Sequence, residues 1–258
     1  MQIALTIAGS DSGGGAGIQA DLKSFARFGV FGTSVITAVT AQNTLGVTGW
    51  RPMPAELVRD QVDAVASDLP PRAVKSGMLG DSEVVMAVAA GIERHGLHPY
   101  VLDPVMVATS GDLLLAPGAV EAIRERLLPL ADLVTPNLDE AAILCGADVR
   151  DEEGMAHAAR EIVRRGAKAA LVKGGHLDGA ETVDVLWDGR SLRTFRHPRL
   201  TTRNLHGTGC TLSAAIAAHL ALGEPLPTAV ERSLDYVHRA IATAPGLGSG
   251  HGPLNHFA

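Results

Sequence analysis

The sequence predicts an α/β protein in which helices cover both faces of a mostly parallel central sheet, with an antiparallel hairpin at one edge. Short apolar segments alternate with longer segments of helical periodicity along almost the whole chain. The apolar segments are continuous, as is typical of parallel strands that are buried on both faces. An Asp188-Gly189 dipeptide between two further strand-like segments is typical of a hairpin turn.

Each element follows from the local residue pattern. Continuous apolar runs predict buried strands over 3–8, 34–40, 73–76, 100–103, 133–135 and 169–173. Apolar residues spaced three and four apart predict helices over 18–28, 54–67, 81–94, 117–128 and 154–165. The hairpin pairs 182–187 with 191–196, and two helices follow it over 211–222 and 227–243.

Length and composition narrow the class of protein. The chain has 258 residues, 46% of them hydrophobic, and no shift in composition marks a linker, so we expect one domain over 1–258. A net charge of −6 without a basic block argues against a nucleic-acid partner. No apolar run approaches the roughly 20 residues of a membrane helix. No basic leader precedes the first strand, so we expect a cytoplasmic protein without a membrane partner.

The residues from His206 to Thr211 read His-Gly-Thr-Gly-Cys-Thr and run directly into a predicted helix. Two glycines allow a turn that points several backbone N–H groups to one side, and the helix start adds unpaired N–H groups and a positive dipole. This pattern predicts a site for a phosphate or for developing negative charge, formed by Gly207, Thr208, Gly209 and Cys210. The same field favours a thiolate at Cys210, which we expect to act as a base in phosphoryl transfer.

Polar residues follow the other predicted strands, at the edge of the sheet where α/β proteins bind ligands. The loop 9–17 is rich in glycine, which lets backbone approach a ligand closely, but no acidic residue ends the next strand, so a dinucleotide site is disfavoured. The amide of Gln42 matches the donor and acceptor edge of an aminopyrimidine. Asp21 could accept the remaining amino proton or only stabilise the start of its helix.

Residues near three other strand ends predict a magnesium and phosphate site. Asn137 and Glu140 share one face at a helix start, so both could reach one hydrated cation, and Asp103 at the end of a parallel strand favours a metal and phosphate role. A capping box is the alternative role for Asn137 and Glu140. Lys173 ends a further strand and could contact a nucleotide phosphate or remain a solvated charge.

Two histidines and one loop complete the candidates. His176 and His206 are candidates for binding, but neither has a metal-ligand spacing, so their roles stay open. The segment 105–112 contains Ala108-Thr109-Ser110-Gly111 and is a candidate lid that would exclude water from the site.

Taken together, these loops resemble the hydroxymethylpyrimidine/phosphomethylpyrimidine kinases of thiamine biosynthesis, within the ribokinase-like superfamily. The resemblance covers essentially the whole chain and rests on the ordered segments 6–11, 17–23, 41–44, 75–79, 101–106, 135–137, 173–176 and 206–213. It implies a ribokinase-like three-layer sandwich and a kinase that uses ATP and Mg²⁺. Such an enzyme phosphorylates 4-amino-5-hydroxymethyl-2-methylpyrimidine to its monophosphate and then to the diphosphate.

The resemblance also implies roles for individual residues. The positions around the pyrimidine are matched by Gly9, Asp21, Gln42, Met78, Val105 and Cys210. Asp103 and Glu140 match the region that handles magnesium, with Asn137 and Lys173 expected at the phosphates of the nucleotide. Many sugar kinases of the superfamily carry aspartate as the base where this chain has Cys210, whereas cysteine agrees with the pyrimidine-kinase branch.

Two other functions stay open. A pyridoxal or pyridoxine kinase shares the fold, ATP and a hydroxymethyl acceptor on a heteroaromatic ring, and Gln42 discriminates against it because its amide suits the aminopyrimidine. A non-catalytic ligand-binding regulator is the second alternative, against which Asp103, Glu140 and Cys210 argue. The expected partners are the small pyrimidine and ATP, and the resemblance implies a homodimer.

Overall fold

The computed structural model describes residues 1–106, 116, 118–175, 177 and 179–258. Its strands are β1 Ile3–Ala8, β2 Phe31–Ile36, β3 Ala38–Asn43, β4 Gly46–Pro52, β5 Ala73–Ser76, β6 Tyr100–Leu102, β7 Leu133–Val134, β8 Ala170–Lys173, β9 Glu181–Trp187 and β10 Leu192–Pro198. Its α-helices are α1 Gly17–Arg27, α2 Ala55–Asp68, α3 Ser82–His95, α4 Ala119–Ala122, α5 Leu138–Cys145, α6 Glu152–Arg164, α7 Thr208–Ala221 and α8 Leu226–Ala242.

The central sheet has eight strands in the order β10-β9-β8-β7-β6-β5-β1-β2. All neighbouring strands from β8 to β2 are parallel. Strand β9 pairs antiparallel with both β8 and β10, so the predicted hairpin at the edge of the sheet is confirmed. Because the parallel strands end at one edge, the loops that follow them converge there.

Two apolar clusters lie on opposite faces of this sheet. Alternate residues of a strand point to opposite faces, and accordingly Leu5 and Ile7 of β1 belong to one cluster and Ala4 to the other. Helices α2, α3, α5 and α6 cover the first cluster, and α1, α7 and α8 cover the second. The predicted layer of helices on each face is therefore confirmed.

The predicted strand 34–40 is wrong in two respects, because β2 already begins at Phe31 and the chain leaves the central sheet at Thr37. The backbone N–H of Thr37 still donates to Ala8, but its hydroxyl donates to the carbonyl oxygen of Met78 at 2.6 Å. From Ala38 the chain pairs antiparallel with β4 in a separate two-stranded sheet, which we call the flap (residues 38–52). A continuous apolar run does not show where a strand changes its hydrogen-bonding partner.

The predicted helix 117–128 is also only partly right. Residue 117 lies outside the described residues, and α4 covers only Ala119–Ala122. A π-helical turn, Ile123–Leu127, and a 3₁₀ turn, Leu128–Leu130, follow it. In the described part of the chain, no helix is both long and apolar enough to cross a bilayer.

Candidate active site

A cavity of about 500 Å³ lies at the carboxyl ends of the parallel strands. The loops after β1, β6, β7 and β8 contribute to it, together with the flap and the first turn of α7. Of the predicted site residues, those that line it are Gly9, Gln42, Met78, Asp103, Val105, Asn137, Glu140, Lys173, Gly207, Thr208, Gly209 and Cys210. The structure therefore brings every predicted site residue except Asp21 to one cavity.

The anion-binding turn begins at Gly207, whose φ of 83° lies in the left-handed region that favours glycine. A Cβ at this position would also overlap the carbonyl oxygen of Gly15. Helix α7 starts at the next residue, and within the described ranges the N–H groups of Gly209 and Cys210 have no hydrogen-bond acceptor. Both residues line the cavity, so these N–H groups are available to an anion, as predicted for a helix start.

Lys173 and Asp103 lie next to this turn. Lys173 Nζ is 3.2 Å from Asp103 Oδ1, and a Cβ built on Gly209 would lie 3.2 Å from the same Nζ. Burial disfavours the charge of Lys173, but Asp103 and Glu140 raise its pKa, so the amine is protonated at neutral pH. Glycine at 209 thus leaves space in which one anionic group could contact the helix N–H groups and the lysine together.

The capping box that the sequence allowed for Asn137 and Glu140 is present. Asn137 Oδ1 accepts the N–H of Glu140, and Glu140 Oε2 accepts the N–H of Asn137, both at 2.9 Å. The carboxylate of Glu140 nevertheless lines the cavity. Burial raises its pKa to about 7; the positive charge of Lys173 opposes this shift and the negative charge of Asp103 adds to it.

Mg²⁺ fits the two carboxylates of Asp103 and Glu140. Over the described residues, no three carboxylate, histidine or cysteine side chains cluster as they would around a metal held by protein alone. Mg²⁺ needs fewer protein ligands, because it keeps several waters and binds substrate phosphates. Both carboxylates are buried, and Asp103 raises the pKa of Glu140 through a repulsion that a bound cation would relieve.

The side chain of Asp21, which we expect at the pyrimidine, is fully buried and does not line the cavity. Its carboxylate accepts from the Thr6 hydroxyl at 2.6 Å and from Lys75 Nζ at 2.9 and 3.1 Å. Neither Asp21 nor Lys75 has any exposed side-chain surface. Burial raises the pKa of Asp21 and opposes the charge of Lys75, but the carboxylate raises the pKa of the amine and the amine lowers that of the carboxylate, so the two side chains form a buried ion pair.

The expectation that the helix field favours a thiolate at Cys210 is wrong. Burial raises the pKa of the Cys210 thiol to about 11. The charge of Lys75 lowers it, whereas Asp21 and Asp103 raise it further, and a hydrogen bond from the backbone of Gly17 lowers it. Burial and two neighbouring carboxylates therefore outweigh the cation and the helix N-terminus, and the group is a thiol at neutral pH.

The acceptor end of the cavity lies between the loop after β1 and the flap. The N–H of Gly9 donates to the carbonyl oxygen of Met78 at 3.1 Å, and Met78 packs with Val105 and Trp50 in a small apolar cluster. Gln42 follows a bulge in β3, where its backbone N–H and carbonyl oxygen bind the Ser12 hydroxyl. The first loop thus fixes the backbone of Gln42, its amide oxygen accepts the Thr40 hydroxyl at 3.3 Å, and Gln42 lines the same cavity as the apolar Met78 and Val105, a combination that suits a polar heterocycle.

A second half of the cavity is mainly apolar and was not found from the sequence. It is lined by Gly175 in the loop after β8, by the end of β10 and the loop after it, and by helices α7 and α8. Its apolar residues are Leu200, Leu205, Leu212, Leu234, Val237 and Ile241. His197 and His238 stack in its wall with their ring centroids 5.1 Å apart. Arg199 donates to the carbonyl oxygens of Gly175 and Gly179, both at 2.8 Å, and so holds the loop that follows Lys173.

Comparison with known proteins decides the family. The family model for phosphomethylpyrimidine kinase matches residues 11–255. The chain belongs to the phosphomethylpyrimidine kinase family. A hydroxymethylpyrimidine/phosphomethylpyrimidine kinase of Rhizobium meliloti (strain 1021) is 58% identical over 99% of this chain and 97% of that protein.

One further related sequence and one solved structure support this assignment to a kinase family. The thiamine biosynthesis bifunctional protein ThiED of Geobacter sulfurreducens is 52% identical, over 98% of this chain and 52% of that protein. The structure of the pyridoxal kinase from Staphylococcus aureus in complex with AMP-PCP and pyridoxal has a TM-score of 0.91 at 34% identity, and the match covers 100% of this chain and 94% of that chain. The chain is therefore an enzyme of the ribokinase-like kinases.

Several features of this kinase lie beyond what the sequence analysis found. Lys75 falls within the segment 75–79 of the family resemblance, but a lysine inside a buried apolar strand is itself a signal of a buried charge partner. The apolar half of the cavity carries no motif, because its residues come from four separate elements. His176 and residues 107–112 of the candidate lid lie outside the described residues.

Proposed function

We propose that this kinase transfers the γ-phosphoryl group of ATP to the hydroxymethyl group of 4-amino-5-hydroxymethyl-2-methylpyrimidine, and then a second one to the resulting monophosphate, for thiamine biosynthesis. One observation carries the proposal. A single cavity contains the Gln42 and Met78 end, the apolar half, and the anion-binding turn with Lys173 and Asp103. An acceptor and a nucleotide bound there would share one phosphoryl site. The names of the relatives support this choice of acceptor.

The residues of the chain account for binding and orientation. Gln42 would bind the aminopyrimidine edge through its amide, with Met78 and Val105 against the ring. The apolar half would take the adenine, whose position the sequence alone did not indicate. This arrangement directs the acceptor hydroxyl and the γ-phosphate toward the start of α7, so that proximity supplies part of the rate.

Charge stabilisation at the phosphoryl group follows from the geometry of the turn. The N–H groups of Gly209 and Cys210 and the amine of Lys173 would face the equatorial oxygens, where negative charge concentrates in the transition state. Asp103 and Glu140 would hold Mg²⁺, which when bound neutralises charge on the phosphates. Asn137 fixes Glu140 through the capping box.

The proton of the acceptor defines the difference between the two steps. In the first step the bond from phosphorus to the acceptor oxygen forms while the bond to ADP breaks, and the hydroxyl proton passes to the thiolate form of Cys210, which becomes a thiol. With a pKa of about 11 the sulfur is largely protonated at neutral pH, so the thiolate is a minor species. In the second step the attacking group is already an anionic phosphate, which needs no base.

Assembly and location complete the proposal. We propose one catalytic domain over residues 1–258, acting as a homodimer in the cytoplasm, on the basis of the family resemblance. The partners are the pyrimidine and ATP.

A pyridoxal kinase is the second candidate, because the solved structure of a pyridoxal kinase with AMP-PCP and pyridoxal has nearly the same fold. The test is to incubate the purified protein with MgATP and either hydroxymethylpyrimidine or pyridoxal, and to measure product masses. Addition of one and then two phosphoryl groups to the pyrimidine is the expected result. A single addition to pyridoxal, with no change in the pyrimidine, would identify a pyridoxal kinase instead. No product from either compound would contradict both choices of acceptor.

A further inference from the structure

A buried carboxylate–imidazole hydrogen bond joins two loops of the active site. His206 Nε2 lies 2.8 Å from Asp11 Oδ2, and the two residues are 9% and 1% exposed. Asp11 belongs to the glycine-rich loop 9–17 at the acceptor end, and His206 directly precedes the anion-binding turn at Gly207. The bond therefore connects the loop proposed to bind the acceptor with the turn proposed to bind the phosphoryl group.

Asp11 also holds the shape of its own loop. Its carboxylate accepts the backbone N–H groups of Gly13 at 2.8 Å, Gly15 at 2.9 Å and Ala16 at 2.8 Å. Its own N–H donates to Gln19 Oε1 of α1 at 2.8 Å. Together with His206, these three N–H groups give the carboxylate four hydrogen-bond partners, which makes it a strong and directional anchor. The same group thus fixes the loop and determines where His206 must lie.

The two loops are in close contact around the imidazole. A Cβ on Gly15 would lie 2.6 Å from His206 Cδ2 and 3.1 Å from Cβ of Pro253. The backbone N–H of His206 donates to the carbonyl oxygen of Gly252 at 3.2 Å. The imidazole therefore packs against the first loop while the backbone of His206 is bound to Gly252, and these two contacts fix the residue that directly precedes the turn at Gly207.

We propose that Asp11 and His206 are positioning residues for phosphoryl transfer, whose hydrogen bond sets the distance between the acceptor and the anion-binding turn. This inference rests on the proposed function, because it requires an acceptor bound at loop 9–17. Neither residue transfers the proton of the acceptor. A misplacement of about 1 Å between reacting groups slows an enzymatic reaction roughly 100-fold, so a link of this kind controls kcat more than nucleotide binding.

Two substitutions of His206 test the proposal. H206L removes the hydrogen bond while keeping a side chain of similar size, and H206Q keeps an N–H donor that can reach Asp11 but cannot titrate. H95L is the matched control, since His95 Nε2 binds Asp63 Oδ1 at 2.6 Å between α3 and α2 and does not line the cavity. H206L should lower kcat roughly 10- to 100-fold with KM for ATP changed less than about twofold. H206Q should restore most of kcat, and H95L should match the wild type.

A double variant tests whether the two residues act through one link. If they do, D11N/H206L should be no slower than the slower single variant, because the interaction can be lost only once. Where H206L does not fold, comparison of H206N with H206Q replaces it, since only the longer amide reaches Asp11. Each variant is measured with whichever acceptor the wild type phosphorylates.

Three results would overturn the proposal: an unchanged kcat in H206L, a failure of H206Q to restore kcat, or losses that multiply in the double variant. Failure of H206Q in a folded protein would indicate proton transfer by the imidazole. Failure of the proposed function is separate, because it would appear as a wild-type protein that phosphorylates neither acceptor.

Discussion

Lys75 Nζ lies 2.9 Å from Asp21 Oδ2, and neither side chain has any exposed surface. The pair joins β5 to α1 beneath the cavity, and its charges act on Cys210 above it. A buried charge without its partner is costly, because burial removes the water that would solvate it. The stability of the kinase should therefore depend on keeping or removing both charges together.

We expect K75M to lower the free energy of unfolding by about 3–5 kcal/mol, because it leaves the Asp21 carboxylate unpaired. The double variant K75M/D21N should be more stable than K75M alone. Urea unfolding followed by circular dichroism measures both. R150M is the control, since its ion pair with Asp148 is exposed on both sides, and no measurable change is expected. A loss in K75M no larger than in this control would show that Asp21 is neutral in the folded protein.

The raised pKa of Cys210 predicts slow alkylation near neutral pH. For an acid whose pKa lies at about 11, the thiolate fraction rises roughly tenfold per pH unit below that value. The rate of reaction with iodoacetamide, followed by mass spectrometry in a C145S background, should rise in this way from pH 7 to 10. A plateau already below pH 8 would show that the N-terminus of α7 and Lys75 overcome the effect of burial.

The two phosphoryl transfers should respond differently to C210S. Serine retains the small size, but its hydroxyl ionises far less than a thiol, so almost no deprotonated form is present at moderate pH to accept the proton of an alcohol. We expect the first transfer to slow by roughly 100-fold or more and the second by less than about tenfold. Separate initial rates with the alcohol and with the monophosphate measure the two steps. Equal losses would assign Cys210 to the anion-binding turn alone.

Gly207 and Gly223 provide a matched pair of glycines. Both have a positive φ, 83° and 87°, but a Cβ would overlap Gly15 at position 207 and would meet nothing within 4 Å at position 223. G223A should cost about 1–2 kcal/mol of stability through backbone strain and leave kcat unchanged. G207A should also abolish most of kcat, since the turn must move. We would measure steady-state rates and thermal unfolding for both variants. The comparison distinguishes the cost of backbone strain, which both share, from movement of the anion-binding turn, which only G207A causes.

Removal of divalent ions with EDTA should stop the reaction, and E140Q should raise the Mg²⁺ concentration needed for half-maximal rate at least about tenfold. Glutamine can still accept the N–H of Asn137, so the capping box and the stability of α5 should persist. Titration of the initial rate with MgCl₂ at fixed ATP measures the effect. An unchanged Mg²⁺ requirement would leave Glu140 as a cap only.

Most of the fold could be predicted because its signals are local. Continuous apolar runs gave β1, β5, β6, β7 and β8 to within a residue or so, and the Asp188-Gly189 turn gave the hairpin. The flap could not be predicted, because its first strand continues the apolar run of β2 and differs only in its pairing partner. The breakdown of α4 into π-helical and 3₁₀ turns depends on packing that periodicity does not contain.

The lining of the cavity was predicted where it comes from strand ends and a helix start, as at Asp103, Lys173 and Gly207 to Cys210. It was wrong where the outcome depends on a balance of energies in three dimensions. The pKa of Cys210 depends on burial and on Lys75, Asp21 and Asp103, all of which come from distant parts of the chain. The hydrogen bond between Asp11 and His206 spans 195 positions, and no local pattern indicates it.

The small apolar cluster at the acceptor end gives the kinase an internal optical probe. The indole of Trp50, on the flap, packs against Met78 and Val105, both of which line the cavity. The chain has only two tryptophans, and the other, Trp187, lies on β9 next to Arg160. In W187F, fluorescence emission would come from a single indole beside the acceptor, so occupancy of that end could be followed in real time without a label.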